Sequence, residues 1–82
     1  MKMKYVMNSS VVIAPKFVLI PDNGMKHSDI AGDWTSAGFV SIGYDRSTHR
    51  FMCNCYGESV SLGLTAGKED HIIIERYMNP GL

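Results

Sequence analysis

Residues 50–77, R-F-M-C-N-C-Y-G-E-S-V-S-L-G-L-T-A-G-K-E-D-H-I-I-I-E-R-Y, decide the fold. Residues 50–56 alternate with a period of two, which predicts a strand with two distinct faces. One face carries Phe51, Cys53 and Cys55, and the other carries Met52, Asn54 and Tyr56. Residues 57–63 then form a loop with a glycine at each end, and residues 67–78 are predicted to form a helix.

The last part of this stretch permits two interpretations. Glu69 and Asp70 would lie in the first turn of the helix and Arg76 in its last turn, which suits the helix dipole. Residues 72–74 are three consecutive isoleucines, and such a β-branched run is typical of a strand. We prefer the helix, and a strand at these three positions stays open.

The chain before residue 50 supplies further strands. Residues 39–44 alternate in the same way, and the polar loop of residues 45–49 leads directly into residues 50–56. This arrangement predicts an antiparallel hairpin. Residues 16–20, K-F-V-L-I, also read as a strand, with Phe17 and Leu19 on the same face.

Four other segments give weaker signals. Residues 4–7 suit either an edge strand or a disordered start, and residues 11–13 are β-branched and suit a strand. Residues 21–24, Pro-Asp-Asn-Gly, are a strong turn signal. Residues 25–34 favour a short helix, with Ser28 or Asp29 as its cap.

These elements predict an α+β fold, a small mixed β-sheet with one or two helices. With 82 residues, the chain is long enough for one domain over residues 1–82. Its formal net charge is zero at pH 7, whereas a nucleic-acid-binding domain usually has a basic face, so we expect no nucleic-acid partner. No apolar run approaches the ~20 residues of a membrane span, so we expect no membrane partner.

The two cysteines, Cys53 and Cys55, are too few for a disulfide framework. A reducing compartment is therefore the simpler interpretation, and we expect a cytoplasmic protein. Structural zinc sites take four ligands, and a C-x-C pair with scattered histidines falls short of that pattern. We therefore expect neither a metal site nor a cofactor.

The loop of residues 57–63 is the first candidate for a binding site. Glycine lets the backbone adopt positive φ, and successive backbone N–H groups in such a turn can form a concave anion site. We therefore expect an oxyanion, in particular a phosphoryl group, near Ser59, Val60 and Ser61. An ordinary connection between two elements is the competing interpretation, and Glu58 adds a negative charge beside the loop.

Four segments resemble, in the same order, motifs of the Janus/Ocnus family, the protein histidine phosphatases that remove phosphate from phosphohistidine. The segments are K-F-V-L-I at residues 16–20, K-H-S-D-I at 26–30, S-A-G-F-V-S at 36–41 and C-Y-G-E-S-V-S-L-G at 55–63. The resemblance covers roughly residues 15–80. It implies a histidine phosphatase-like α+β fold that acts without a metal on a phosphorylated protein or a small phosphoramidate.

The resemblance also implies roles for individual residues. His27 would be the general acid/base and Lys16 the cation that offsets the phosphate charge, so both are candidate catalytic residues. Gly57, Ser59, Val60 and Ser61 would bind the phosphoryl group through the loop backbone. The family has an arginine where this chain has Phe39 and a tyrosine where it has Lys26.

Those departures keep a non-enzymatic alternative open. A short chain with a free sheet edge can pair with a second copy of itself or with an extended peptide. The same fold would then act as a binding module or a small homodimer. The sequence leaves open whether the protein is a monomer or a homodimer.

Overall fold

The computed structural model describes residues 1–10, 15–21 and 24–81 of the chain. The predicted strand at residues 11–13 and part of the predicted turn at residues 21–24 lie outside these ranges. The described elements are β1 (Lys2–Asn8), β2 (Lys16–Ile20), a 3-10 helix (His27–Asp29), β3 (Ser36–Asp45), β4 (Arg50–Tyr56), β5 (Glu58–Ser59), β6 (Leu64–Thr65) and α1 (Asp70–Met78). The predicted α+β class is confirmed.

In the described residues, four strands form one sheet in the order β2-β1-β3-β4, and every neighbouring pair is antiparallel. The prediction of a mixed sheet was therefore wrong. Strands β2 and β3 run in the same direction, but β1 lies between them and pairs with both. The alternation of residues along the chain predicts where strands lie, but it does not predict the order of the strands in the sheet.

Strand β1 occupies the centre of the sheet, although residues 4–7 were expected to form an edge strand or a disordered start. Tyr5, Val6 and Met7 are fully buried. Lys2 and Lys4 are the charged residues of this strand. A long lysine stem can leave a buried strand and place its ammonium elsewhere, and the Lys4 ammonium donates to the Met25 carbonyl.

The sheet is covered on both faces. On one side, which we call the helix face, Tyr5, Met7, Val40 and Ile42 pack against Ile74 of α1. The other side is called the loop face. There Val6, Ile20 and Ala37 form a second cluster, which partly buried side chains cover: Val18, Met25, Ile30, Trp34, Leu62 and Leu64.

The predicted hairpin of β3 and β4 is confirmed, with Asp45 opposite Arg50 at its closed end. Residues 72–74 are helical, which settles the open alternative in favour of the helix. Ile74 is buried against the sheet, whereas Ile72 is partly exposed, as an amphipathic helix requires. The helix begins at Asp70 and not at residue 67, because the preceding turn bends back to the Asp70 carboxylate.

Residues 57–63 were predicted to form a loop without regular structure, and this prediction was wrong. Glu58 and Ser59 within it pair with the two residues that follow it, Glu58 opposite Thr65 and Ser59 opposite Leu64, as an antiparallel hairpin. Gly63 closes the turn at a φ of 67°. Strands of two residues are too short to produce a readable alternation, so the pattern gave no sign of them.

The short helix predicted over residues 25–34 is a single 3-10 turn. Neither Ser28 nor Asp29 is its N-cap, because Lys26 holds that position. The Asp29 carboxylate acts from the third helical position and accepts a hydrogen bond from the Lys26 N–H at 2.8 Å. No helix in the described residues is both long and apolar enough to cross a lipid bilayer.

A buried polar network attaches α1 to the sheet. The Tyr5 hydroxyl donates to the Asp70 carboxylate at 2.5 Å, and the Gly67 N–H donates to the same oxygen at 2.8 Å. Burial, followed by this hydrogen bond, raises the pKa of Tyr5 well above its usual range. Burial also raises the pKa of the Cys55 thiol to about 12, so Cys55 is not a thiolate nucleophile at neutral pH.

Candidate functional site

His27 is buried on the loop face, with 5% of its surface exposed. Its Nε2 atom lies 2.7 Å from the Gly38 carbonyl oxygen, and its ring packs edge-on against Phe39 at 5.7 Å between centroids. A carbonyl oxygen can only accept, so Nε2 carries a hydrogen and donates it. This ring nitrogen is committed to the backbone of β3 rather than to an open pocket.

Lys16 is the first residue of β2, and its side chain is exposed. Its ammonium lies 5.9 Å from the centre of the Trp34 ring, within the range of a cation–π contact. An exposed contact of this kind contributes about 0.5–1 kcal/mol. The lysine therefore covers one end of the loop-face cluster.

The β5–β6 turn is closed largely by its own groups. Ser59 is buried, and its hydroxyl accepts a hydrogen bond from the Leu62 N–H at 3.3 Å. The Gly63 N–H donates to the Ser59 carbonyl at 2.9 Å. Val60 points into solvent with 86% of its surface exposed, and the Ser59 and Ser61 hydroxyls are 3.3 Å apart.

The structure brings some of the predicted site residues together and leaves others apart. Gly57 has a φ of 79°, and a Cβ atom there would lie 3.0 Å from the Phe39 ring, the same ring that packs on His27. His27 and the start of the turn therefore share Phe39 as a neighbour. Lys16 packs on Trp34 instead, and no hydrogen bond among the described residues joins Lys16, His27 and the turn.

The outer edge of β4 is covered by groups from α1 and its C-terminal cap. The Phe51 N–H donates to the Asn79 side-chain oxygen at 2.7 Å, and the Asn79 side-chain nitrogen donates to the Phe51 carbonyl at 2.9 Å. The Cys53 N–H donates to the Glu75 carboxylate at 3.1 Å. Exposed strand edges invite pairing with other chains, and these side chains block this edge at Phe51 and Cys53.

The outer edge of β2 lacks such a cover in the described part of the chain. Met1 and Ile42 exchange backbone hydrogen bonds at 2.8 and 2.7 Å, so odd-numbered residues of the first strand face β3. The even-numbered residues of β1 therefore face β2, where they are opposite Lys16, Val18 and Ile20. Phe17 and Leu19 must then direct their N–H and C=O groups away from the sheet.

A groove of about 520 Å³ runs along this open edge, between residues 15–19 and Tyr77 of α1. Tyr77 is 72% exposed, and its ring meets the Phe17 ring edge-on at 5.4 Å. The groove therefore combines apolar and aromatic side chains with two backbone donors that have no hydrogen-bond partner among the described residues. Of the described residues that line it, Lys16, at the start of the strand, is the only charged one.

Comparison of the chain with protein-family models, with curated proteins and with solved structures finds no match. The resemblance to the Janus/Ocnus family therefore stays a prediction, and the site must be judged from its own geometry. The residues that the structure describes contain no group of three or more histidine, cysteine or acidic side chains that could hold a metal ion.

The sequence pattern did not identify the β2 groove. It placed Phe17 and Leu19 on one face of a strand, and that assignment is confirmed because both pack with the helix-face cluster. Tyr77 was assigned only to the end of a helix. An edge becomes visible only when strand neighbours are known, and no local signal carried that information.

Proposed function

We propose that the protein is a non-enzymatic binding module that adds an extended polypeptide segment to the outer edge of β2. The difference between the two sheet edges carries this proposal. Side chains of Asn79 and Glu75 accept hydrogen bonds from two outward N–H groups of β4, those of Phe51 and Cys53. The outward groups of Phe17 and Leu19 have no comparable partner among the described residues.

The chemistry of the groove indicates the kind of segment it accepts. In strand addition, main-chain hydrogen bonds supply affinity, and pockets for alternate side chains supply specificity. Phe17, Leu19 and Tyr77 form an apolar surface on the helix face, so the incoming segment should have apolar residues at every second position. An acidic residue would suit the position beside Lys16.

A capped peptide with the sequence of residues 15–21, P-K-F-V-L-I-P, provides the first test. When it is titrated into isotopically labelled protein, we expect NMR shifts centred on Phe17, Leu19 and Tyr77. The matched control is the same peptide with its Phe and Leu amides N-methylated, which keeps the side chains but removes the two outward donors. Shifts that are absent, or that are the same with both peptides, would contradict strand addition.

A second candidate function is phosphoryl binding at the β5–β6 turn, with hydrolysis of phosphohistidine or a phosphoramidate. One observation favours it: the Val60 and Ser61 N–H groups have no hydrogen bond to any described residue, and the Ser61 hydroxyl is beside them. Backbone donors in a turn are suited to an oxyanion. On this candidate the fold would be histidine phosphatase-like, with Lys16 and His27 moving toward the turn when substrate binds.

His27→Gln tests this second candidate. Glutamine keeps a side-chain N–H that can donate to the Gly38 carbonyl but cannot act as an acid or base at neutral pH. If His27 is the proton-transfer group, phosphoramidate hydrolysis without added metal should fall about 10²–10⁴-fold. His49→Gln, at an exposed histidine in the β3–β4 turn, is the control and should leave the rate unchanged. Absence of turnover in the wild type, with no phosphate-induced shifts at residues 59–61, would remove the candidate.

A further inference from the structure

We infer that the segment added to the β2 edge is a second copy of the same strand, so that two chains join through β2 about a two-fold axis beside Val18. This inference rests on the proposed function, because it names the occupant of the same edge. Two four-stranded sheets would become one continuous antiparallel sheet, and α1 of both copies would lie on the same side of it.

The backbone of β2 is self-complementary. Pro15 and Pro21 flank the strand and have no N–H, so Phe17 and Leu19 supply the outward donors. When two β2 strands overlap over their full length in antiparallel register, Phe17 of each copy is opposite Leu19 of the other. Each pair then exchanges two hydrogen bonds, and the prolines meet at the ends, where no donor is left over.

The charges of the strand fit this register. Lys16 is the one charged residue of β2. Full overlap places it opposite Ile20 of the second copy, about 13 Å along the strand from the other Lys16 at ~3.4 Å per residue. A register that set the two lysines directly opposite each other would be destabilised by like-charge repulsion. The charge pattern therefore favours the same arrangement as the hydrogen bonds.

The side chains fit it as well. The two Val18 side chains would meet at the axis on the loop face, at a non-hydrogen-bonded pair with Cβ atoms about 4.5–5.5 Å apart. On the helix face, Phe17 and Tyr77 of one copy would cover Leu19 of the other. Edge-to-edge pairing of five-residue strands falls below the ~1,200 Å² of a standard interface, so we expect a weak, concentration-dependent dimer.

Cross-linking tests the register. In Val18→Cys, oxidation should join two chains through residue 18, because a non-hydrogen-bonded pair places the two Cα atoms about 4.5 Å apart, within the range that a disulfide spans. Asn54→Cys is the matched control, since this exposed position lies on the covered edge strand and should give no dimer. Both variants retain Cys53 and Cys55, so the sulfurs that are joined are identified by mass mapping.

Sedimentation of the wild type and of Val18→Lys tests the association itself. The wild-type mass should rise toward twice the monomer mass with concentration. Val18→Lys sets two ammonium groups at the axis and should weaken the dimer by about tenfold or more. Because Val18 is partly buried, circular dichroism must show that this variant is folded, and the cross-linking result does not depend on it.

The outcomes of these experiments distinguish the two proposals, strand addition at the β2 edge and dimerisation through β2. A mass that rises with concentration, together with a disulfide through residue 18, supports the two-fold dimer. A protein that stays monomeric but still binds the residue 15–21 peptide at Phe17 and Leu19 overturns the dimer and leaves strand addition intact. A dimer that does not cross-link at residue 18 overturns the register. Failure of both self-association and peptide binding overturns both proposals.

Discussion

Asp70→Ala is expected to lower the free energy of unfolding by about 2–4 kcal/mol. The Asp70 carboxylate is buried and accepts hydrogen bonds from the Tyr5 hydroxyl and the Gly67 N–H. Its removal leaves two donors without a partner, and each orphaned buried group costs about 1–3 kcal/mol. A domain of 82 residues has a total stability of about 4–12 kcal/mol, so the variant should lose a large share of it.

Urea unfolding followed by circular dichroism measures this loss. Glu69→Ala is the control, because Glu69 is the neighbouring acidic residue, is exposed and makes no side-chain capping bond. We expect it to change stability by less than about 0.5 kcal/mol. If the two variants were equally stable, the Tyr5–Asp70 network would not be what attaches the helix to the sheet.

Ile74→Ala is expected to cost about 2–5 kcal/mol, the range for truncating a buried isoleucine. Ile74 is fully buried among Tyr5, Met7, Val40 and Ile42. The deleted atoms leave a cavity between α1 and the sheet, and the neighbours from β1 and β3 cannot fully close it.

The chain contains its own control for this variant. Ile72 belongs to the same helix but is 37% exposed. Ile72→Ala should cost about 1 kcal/mol or less, because the smaller loss of burial is partly offset by the higher helix propensity of alanine. Thermal or urea unfolding of both variants measures the difference. Equal losses at the two positions would contradict the placement of α1 on the sheet.

The strands that bury one face could be predicted from the sequence because their side chains alternate. In β4, Phe51, Cys53 and Cys55 pack toward the core as the period of two indicated. Where an element is buried on both sides or is very short, the pattern fails. Strand β1 has core neighbours on both faces, and β5 has two residues, so neither produced a readable signal.

The candidate site was harder to predict, because it depends on contacts between distant residues. The groups that cap Phe51 and Cys53 come from residues 28 and 22 positions further along the chain. No local pattern shows that Asn79 and Glu75 cap backbone groups at one edge of the sheet. Nor does any local pattern show that pairing with β1 leaves the N–H and C=O groups of Phe17 and Leu19 directed away from the sheet. The glycines and serines of residues 57–63 instead gave a local signal for an anion site, and that site is separate from the β2 edge.

The most direct test of the central claim is the amide hydrogen exchange of four residues in dilute protein, where a weak dimer is dissociated. If the β2 edge is open, the Phe17 and Leu19 N–H groups should exchange at nearly the rate of an unstructured chain. The Phe51 and Cys53 N–H groups, capped by Asn79 and Glu75, should exchange much more slowly. Equal protection of all four groups would mean that β2 is covered as well, and it would contradict the account.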